Sequence, residues 1–294
     1  MNSPSDHVRV FVAATEGEWL PMQVLAHSLR ETSALSVGVH AIRDFGRNMP
    51  LPRHHRNMPR TPFSFQRFLI PELCNFQGRA LYLDADMLVL HDVANLWNRP
   101  MGEHEILTVR PADTSERAGQ FSVMLLDCAR LSWHIEDIVQ GLDEDRYTYE
   151  QLMYGMCIAG SVGRTIEAGW NSLERYASHE TRLLHYTDMH RQPWVARNNP
   201  LAHLWVACMR RALAAGSIHR QELVREVQAG HVRPSLLAQV DLAMDDPRDL
   251  PRSAVRADRI FRAPYERLPG ARSRPVRFIR GVARAMMRAV HGTR

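Results

Sequence analysis

The chain has 294 residues, 45% of them hydrophobic and 23% charged, enough for one large globular domain with its own core. Its longest apolar runs fall short of the roughly 18 to 20 residues that span a bilayer. The scattered Cys74, Cys128, Cys157 and Cys208 include no Cys-x-x-Cys pair, which argues against a disulfide framework or thiolate metal site and for buried, reduced thiols. The net charge is +5, and every basic residue is Arg. Residues 252–294 hold twelve Arg against Asp258 and Glu266, a net of +10, so residues 1–251 carry −5. The basicity belongs to the C-terminal region and points to an anionic surface as its partner. Nucleic acid is not expected, because the interleaved aromatics of a stacking platform are missing.

Met1–His7 is polar, without the apolar core of a signal peptide, so a cytoplasmic location is expected. Val8–Ala14 reads as a buried first strand. Leu20–Leu29 has helical apolar spacing, and Ser36–Ile42 reads as a second strand. Residues 43–62, rich in Pro, Arg, His and Asn, read as a loop. Pro62–Leu73 reads as a helix limited by Pro71. Ala80–Leu83 is a buried strand that runs into Asp84 and Asp86 and resumes as Met87–Leu90. Ile106–Arg110 and Ser122–Asp127 follow as strands, and Leu131–Leu142 and Tyr149–Cys157 as helices. Arg182–Tyr186 is a short strand carrying His185; Leu201–Gly216 and His219–Gly230 are amphipathic helices. Asp245–Arg252 carries linker signals, and Arg274–His291 intersperses apolar residues with five Arg as a basic amphipathic helix. Alternating strands and helices imply an α/β sheet with helices on both faces, whose ligands lie beyond the carboxyl ends of the strands. The expected division is a domain at 1–244 and a linker with basic tail at 245–294.

Asp84 and Asp86 are two residues apart at a strand end, so extended backbone puts both carboxylates on one side. Two like charges at one spot call for a cation, and a hard divalent ion takes such oxygens together with those of a diphosphate. The bland alternative is a solvated turn, which the apolar residues on both flanks disfavour.

Leu-Tyr-Leu-Asp-Ala-Asp-Met-Leu-Val-Leu (81–90) resembles the core motif of the family 8 glycosyltransferases, which include bacterial lipopolysaccharide galactosyl- and glucosyltransferases. Ala14-Thr15 followed by Trp19 resembles the family's uridine-binding start, and Ser64–Leu73 its helix with a donor-contacting Arg, here Arg67. Val123–Asp127 resembles the following strand; Trp170-Asn171 and His185-Tyr186-Thr187…Gln192-Pro193-Trp194 resemble the closing motifs. The resemblance implies a GT-A fold, a Rossmann-like mixed sheet flanked by helices. It also implies a retaining transfer of a hexose, glucose or galactose, from a UDP-sugar to a glycan or glycolipid hydroxyl. Mn2+ is the implied ion, with Mg2+ as the alternative, held by Asp84, Asp86 and His185; imidazole suits Mn2+ beside carboxylates.

Further residues follow from the resemblance. Ala14, Thr15, Trp19, Arg67, Ala85 and Gln120 are implied at the donor, with Asp84 and Asp86. Trp19 is placed to stack on the base or to serve as a rim aromatic. Thr15 is placed to bond the nucleoside or to cap a helix. Arg67 forks onto donor oxygens or sits on a helix surface. Glu150 and Gln151 occupy the positions that face the sugar, or form an exposed helix start; with Arg67 they are the candidate catalytic residues. Gln120-Phe121-Ser122 departs from the family's Asn-small-Gly, and the 185–194 loop is one residue longer than usual. Without Lys, Arg191 or Gln192 takes any β-phosphate contact, and Asp188 stands where the family has Gly. The tail at 252–294 resembles the membrane-attachment segments of some members, which implies a peripheral position at the inner face of the cell membrane. A sugar-nucleotide hydrolase and a non-catalytic sugar-nucleotide or glycan-binding protein are the competing readings.

Overall fold

The order of strands around β1 decides where everything else sits. In the computed structural model, which describes residues 7–110 and 121–267, β1 (His7–Ala13) pairs in parallel with both β2 (Ser36–Ala41) and β3 (Arg79–Asp84). Past the short β4 (Met87–Val89), β5 (Ile106–Val109) and β6 (Val123–Asp127) extend the main sheet. β7 (Val162–Ile166) closes it in the order β2-β1-β3-β6-β5-β7. β6 runs antiparallel to both its neighbours, so the sheet is mixed. β8 (Ser172–Leu173) and β9 (Leu183–His185) join β4 in a second, three-stranded sheet.

Period-two alternation along the central strands builds two cores. Val8, Val10, Val12, Leu81, Leu83, Val123 and Leu125 face α1 (Trp19–Thr32), packing on its Met22, Leu25 and Leu29. Phe11, Ala80, Tyr82, Met124 and Leu126 face the opposite way. There they meet α2 (Ile70–Leu73), α4 (Ile135–Asp143) and α5 (Tyr149–Gly155), while the short α3 (Ala94–Trp97) packs in the first core. A third core lies outside α1. Its Leu20 and Val24 pack with α6 (Ala202–Ala214), α7 (Arg220–Ala229) and α8 (Ser235–Asp241) and with Leu184 and Tyr186. α1 therefore buries two stripes, which its apolar spacing alone does not announce.

Three readings need correction. The helix expected over 62–73 is a 3-10 turn at Gln66–Leu69 followed by one α turn at Ile70–Leu73. Gln66 and Arg67 are buried and bond inward, and Pro71 falls in the first turn of α2, where its missing N–H does no harm. Cys157 is exposed, whereas Cys74, Cys128 and Cys208 are buried; all four are free. The alternative of a surface Arg at 67 fails, since Arg67 is only 8% exposed. The basic amphipathic helix at 274–291 lies outside the described residues, as does Gln120. Among the described residues no helix is long and apolar enough to cross a membrane.

Candidate metal and nucleotide site

The two sheets meet at the acid pair. β3 ends at Asp84, the turn passes through the buried Ala85, and β4 begins at Met87, whose cross-strand partner is His185. The backbone N–H of Tyr186 donates to the Asp86 carbonyl at 2.9 Å, which locks the register. Residues 101 apart in sequence are thus held together by one short ladder. Among the described residues, Asp84, Asp86 and His185 form a group whose ligand atoms lie within 4.8 Å of one another. His185 Nε2 stands 2.9 Å from Asp86 Oδ1 and 3.9 Å from Asp84 Oδ2.

The surroundings orient each of the three. Asn171 Oδ1 lies 2.9 Å from His185 Nδ1; a carboxamide oxygen only accepts, so Nδ1 carries the proton and Nε2 faces the acids. Burial alone lowers the basicity of His185, yet Asp86 and Asp84 outweigh it and hold the imidazole above its usual value. Tyr82 donates its hydroxyl to Asp84 Oδ1 at 2.5 Å. Gln192 Nε2 donates to Asp86 Oδ2 at 3.0 Å and to the Tyr186 carbonyl at 2.9 Å. Two carboxylates and an imidazole, each braced from behind, are the donor set that a divalent cation of Mn2+ character takes. The residues therefore fit such an ion.

Arg67 supplies the nearest guanidinium. It stacks on the Tyr82 ring, 4.7 Å from carbon to centroid, and donates through Nη1 to the Phe121 carbonyl at 2.9 Å. Its Nη2 is 3.7 Å from Asp84 Oδ1, and its buried Nε has no hydrogen-bond partner. One donor of the guanidinium beside the acid pair is thus left without a partner among the described residues.

On the other side of Asp84, Ala13 is its β1 neighbour. The following Ala14 N–H donates to Gln66 Oε1 at 3.1 Å, and Gln66 Nε2 returns a bond to the Ala14 carbonyl at 3.3 Å. Thr15 donates from N and Oγ1 to Glu18 Oε2, at 2.6 and 2.9 Å, and ends the strand as a 3-10 helix cap. Trp19 is half-buried against the third core.

Glu18 escaped the sequence reading, although Thr-x-x-Glu is a capping-box signature. Burial pushes its carboxyl up to about 7; the Thr15 bonds oppose this, and Asp86 and Asp84 add to it. The ionisation of Glu18 therefore opposes folding in the metal-free protein. That penalty is absent below pH 4.5 and complete above pH 7, on the order of 3 kcal/mol. In the presence of a chelator, Glu18→Gln is expected to match the parent near pH 4 and to exceed it by roughly 2–3 kcal/mol near pH 8. Urea unfolding at the two pH values checks this, and a pH-independent difference would contradict it.

The remaining candidates gather elsewhere. Glu150 Oε1 accepts from Arg60 Nη2 at 2.8 Å, and Gln151 caps α5 by accepting from the Thr148 N–H at 2.8 Å. Arg60 lies over the rings of Tyr149 and Tyr154 and donates to the Tyr154 hydroxyl. Tyr149 packs against Phe65, two residues before Arg67, which joins this cluster to the element that carries Arg67. Arg191 is exposed and donates to the Asn198 carbonyl at 3.0 Å. Asp188 accepts from the His190 N–H at 3.1 Å, closing a local turn.

Part of the sequence, and the fold, have counterparts among known proteins. Residues 30–135, which include Asp84 and Asp86, match the model described as glycosyl transferase family 8. Protein CDI of Arabidopsis thaliana is 32% identical over 117 residues, covering 38% of this chain and 45% of that protein. The apo structure of the bifunctional glycosyltransferase WbbM superposes with a TM-score of 0.52 at 11% identity, over 71% of this chain and 50% of WbbM. The galactosyltransferase LgtC, solved with donor and acceptor sugar analogues, gives 0.49 at 14% identity, over 69% of this chain and 95% of LgtC. The chain thus spans about half the length of Protein CDI and of WbbM. The mixed sheet flanked by helices is the GT-A fold.

Proposed function

We propose, from the premise that residues 30–135 make this chain a family 8 glycosyltransferase, that it is a retaining, metal-dependent hexosyltransferase. It moves glucose or galactose from a UDP-sugar to a hydroxyl of a glycan or glycolipid. The observation that carries the reading is the Asp84–Asp86–His185 cluster, braced by Asn171 and Gln192 beside an unpartnered Arg67 Nε.

Asp84, Asp86 and His185 would hold Mn2+, or alternatively Mg2+. When bound, such an ion would supply positive charge against the negative charge that grows on a departing diphosphate. Arg67 adds a fixed positive charge in a dry setting, where it counts for more than in water. Ala14, Thr15 and Trp19 line the nucleoside side; Ala85, Gln120, Arg191 and Gln192 complete the donor contacts. Glu150 and Gln151 orient the acceptor. Retention would then follow from acceptor attack on the leaving-group face, with Glu150 and Gln151 orienting rather than attacking. The residues proposed for the metal and for transfer all lie within 1–244. Attachment to the anionic inner face of the cell membrane belongs to the Arg-rich stretch 252–294, each Arg contributing about 1 kcal/mol before screening, with the enzyme otherwise cytoplasmic.

Thermal unfolding with Mn2+ and a panel of UDP, GDP, CMP and UDP-sugars tests the donor class. A ligand at about 100 times its Kd adds roughly 2.7 kcal/mol, a shift of several degrees for a chain of this size. A Mn2+-dependent shift confined to UDP and UDP-sugars is expected. Shifts with no nucleotide would favour a non-catalytic glycan-binding protein.

A further inference from the structure

Two segments flank the acid pair, and one dipeptide far along the chain touches both. The first segment, 14–18, leaves β1 beside Asp84. The second, 186–194, begins with the Tyr186 bond to Asp86 and reaches back to it through Gln192. Gly17, in the first, has no side chain; a β-carbon there would stand 3.3 Å from both Cβ and Cγ of Pro264. His190, in the second, has Nδ1 2.9 Å from the Tyr265 hydroxyl, with the two rings edge to face at 4.6 Å.

The chain leading to this dipeptide is tied down. Asp258 accepts from the Ser235 N–H at 2.9 Å and hydroxyl at 2.6 Å, and pairs with Arg197 at 3.1 Å. Ser235 also accepts from Arg233, which is fully buried and donates to the Pro193 carbonyl at 3.0 Å. The Arg233 N–H donates to the Trp194 carbonyl at 2.8 Å. The 186–194 loop is therefore held at His190, Pro193 and Trp194 by residues that lie beyond position 230 in sequence. Arg233 thus holds two successive carbonyls of the loop, Pro193 through its buried guanidinium and Trp194 through its backbone N–H, which fixes the loop against the body.

We propose that Pro264 and Tyr265, anchored through Asp258, form a clasp that sets the separation of the 14–18 turn and the 186–194 loop, so that a nucleoside diphosphate binds between them. Tyr265 is then a positioning residue for the nucleotide. This inference rests on the nucleotide-sugar reading above, but it assigns to the C-terminal region a part in the site itself.

The test is calorimetric titration of the full chain, first with Mn2+ alone and then with UDP at saturating Mn2+. Tyr265→Phe removes only the hydroxyl that meets His190, and Gly17→Ala pushes on Pro264 from the opposite side. Both are expected to raise the Kd for UDP about fivefold, to leave the Kd for Mn2+ unchanged, and to raise KM for the UDP-sugar with kcat within about twofold. Arg220→Ala, which breaks an exposed pair with Asp241, serves as the unaffected control. UDP affinities equal to the parent's in both variants overturn the clasp and leave the nucleotide-sugar reading standing. Mn2+ and UDP affinities that fall together also overturn it, since that is general loosening. A parent that binds no UDP overturns both.

Discussion

Asp86→Ala is expected to lower UDP-sugar turnover about a thousandfold, on the order of 4 kcal/mol in the barrier, with little loss of stability. Asp86 has two tasks: one oxygen faces His185 Nε2 at 2.9 Å, and the other holds the Gln192 amide at 3.0 Å. Alanine removes a ligand and frees the closing loop in one step. Without metal, however, Asp86 also crowds Asp84 and helps to raise the pKa of Glu18. Its loss relieves that crowding but also removes the carboxylate that faces His185 Nε2, two effects of opposite sign, so the metal-free stability is expected to change by no more than about 1 kcal/mol. A side chain that matters for folding would show the reverse pattern. Parallel turnover and urea-unfolding measurements separate the two, and an active Asp86→Ala would contradict the site.

Arg67 is expected to show the opposite balance. Arg67→Ala leaves the Phe121 carbonyl without its donor, strips the cation from the Tyr82 ring and opens a void between them. The expected loss is about 3–5 kcal/mol, the usual penalty for breaking a buried charge contact. Arg67→Met refills the volume without the charge and is expected to recover roughly half of that stability. Neither variant restores the guanidinium, so both are expected to lose at least about tenfold in turnover. Urea unfolding gives the stabilities. An Arg67→Met enzyme that turns over like the parent would remove Arg67 from the donor site and leave it a packing role.

The elements that could be read from sequence are those with a local cause. β1 and β3 declare themselves by apolar runs, and the acid pair by interrupting one. α1, α6 and α7 follow from helical spacing. β8 has two residues and exists only because distant backbone pairs with it; β9 was legible within Arg182–Tyr186, but the ligand role of His185 came through the resemblance and its place beside Asp86 comes from pairing with β4. The 3-10 turn at 66–69 replaced an expected α-helix because Gln66 and Arg67 bond to Ala14 and Phe121, 52 and 54 residues away. Arg60 sat in a stretch that read only as loop, with nothing local to mark its bond to Glu150. Glu18 did carry a signal, the Thr15-x-x-Glu18 spacing, but that pattern speaks of a cap and is silent about the neighbouring acids.

The most direct measurement is UDP release from UDP-glucose and UDP-galactose by the full chain, with a glycan acceptor whose hydroxyl takes the hexose and without it, in Mn2+ and in excess chelator. The account predicts acceptor-dependent release with one of the two sugars in Mn2+, loss of that release in chelator, and its return when Mn2+ is restored. Equal release with and without the ion, or none with either sugar from a protein that binds Mn2+ and UDP, would contradict it.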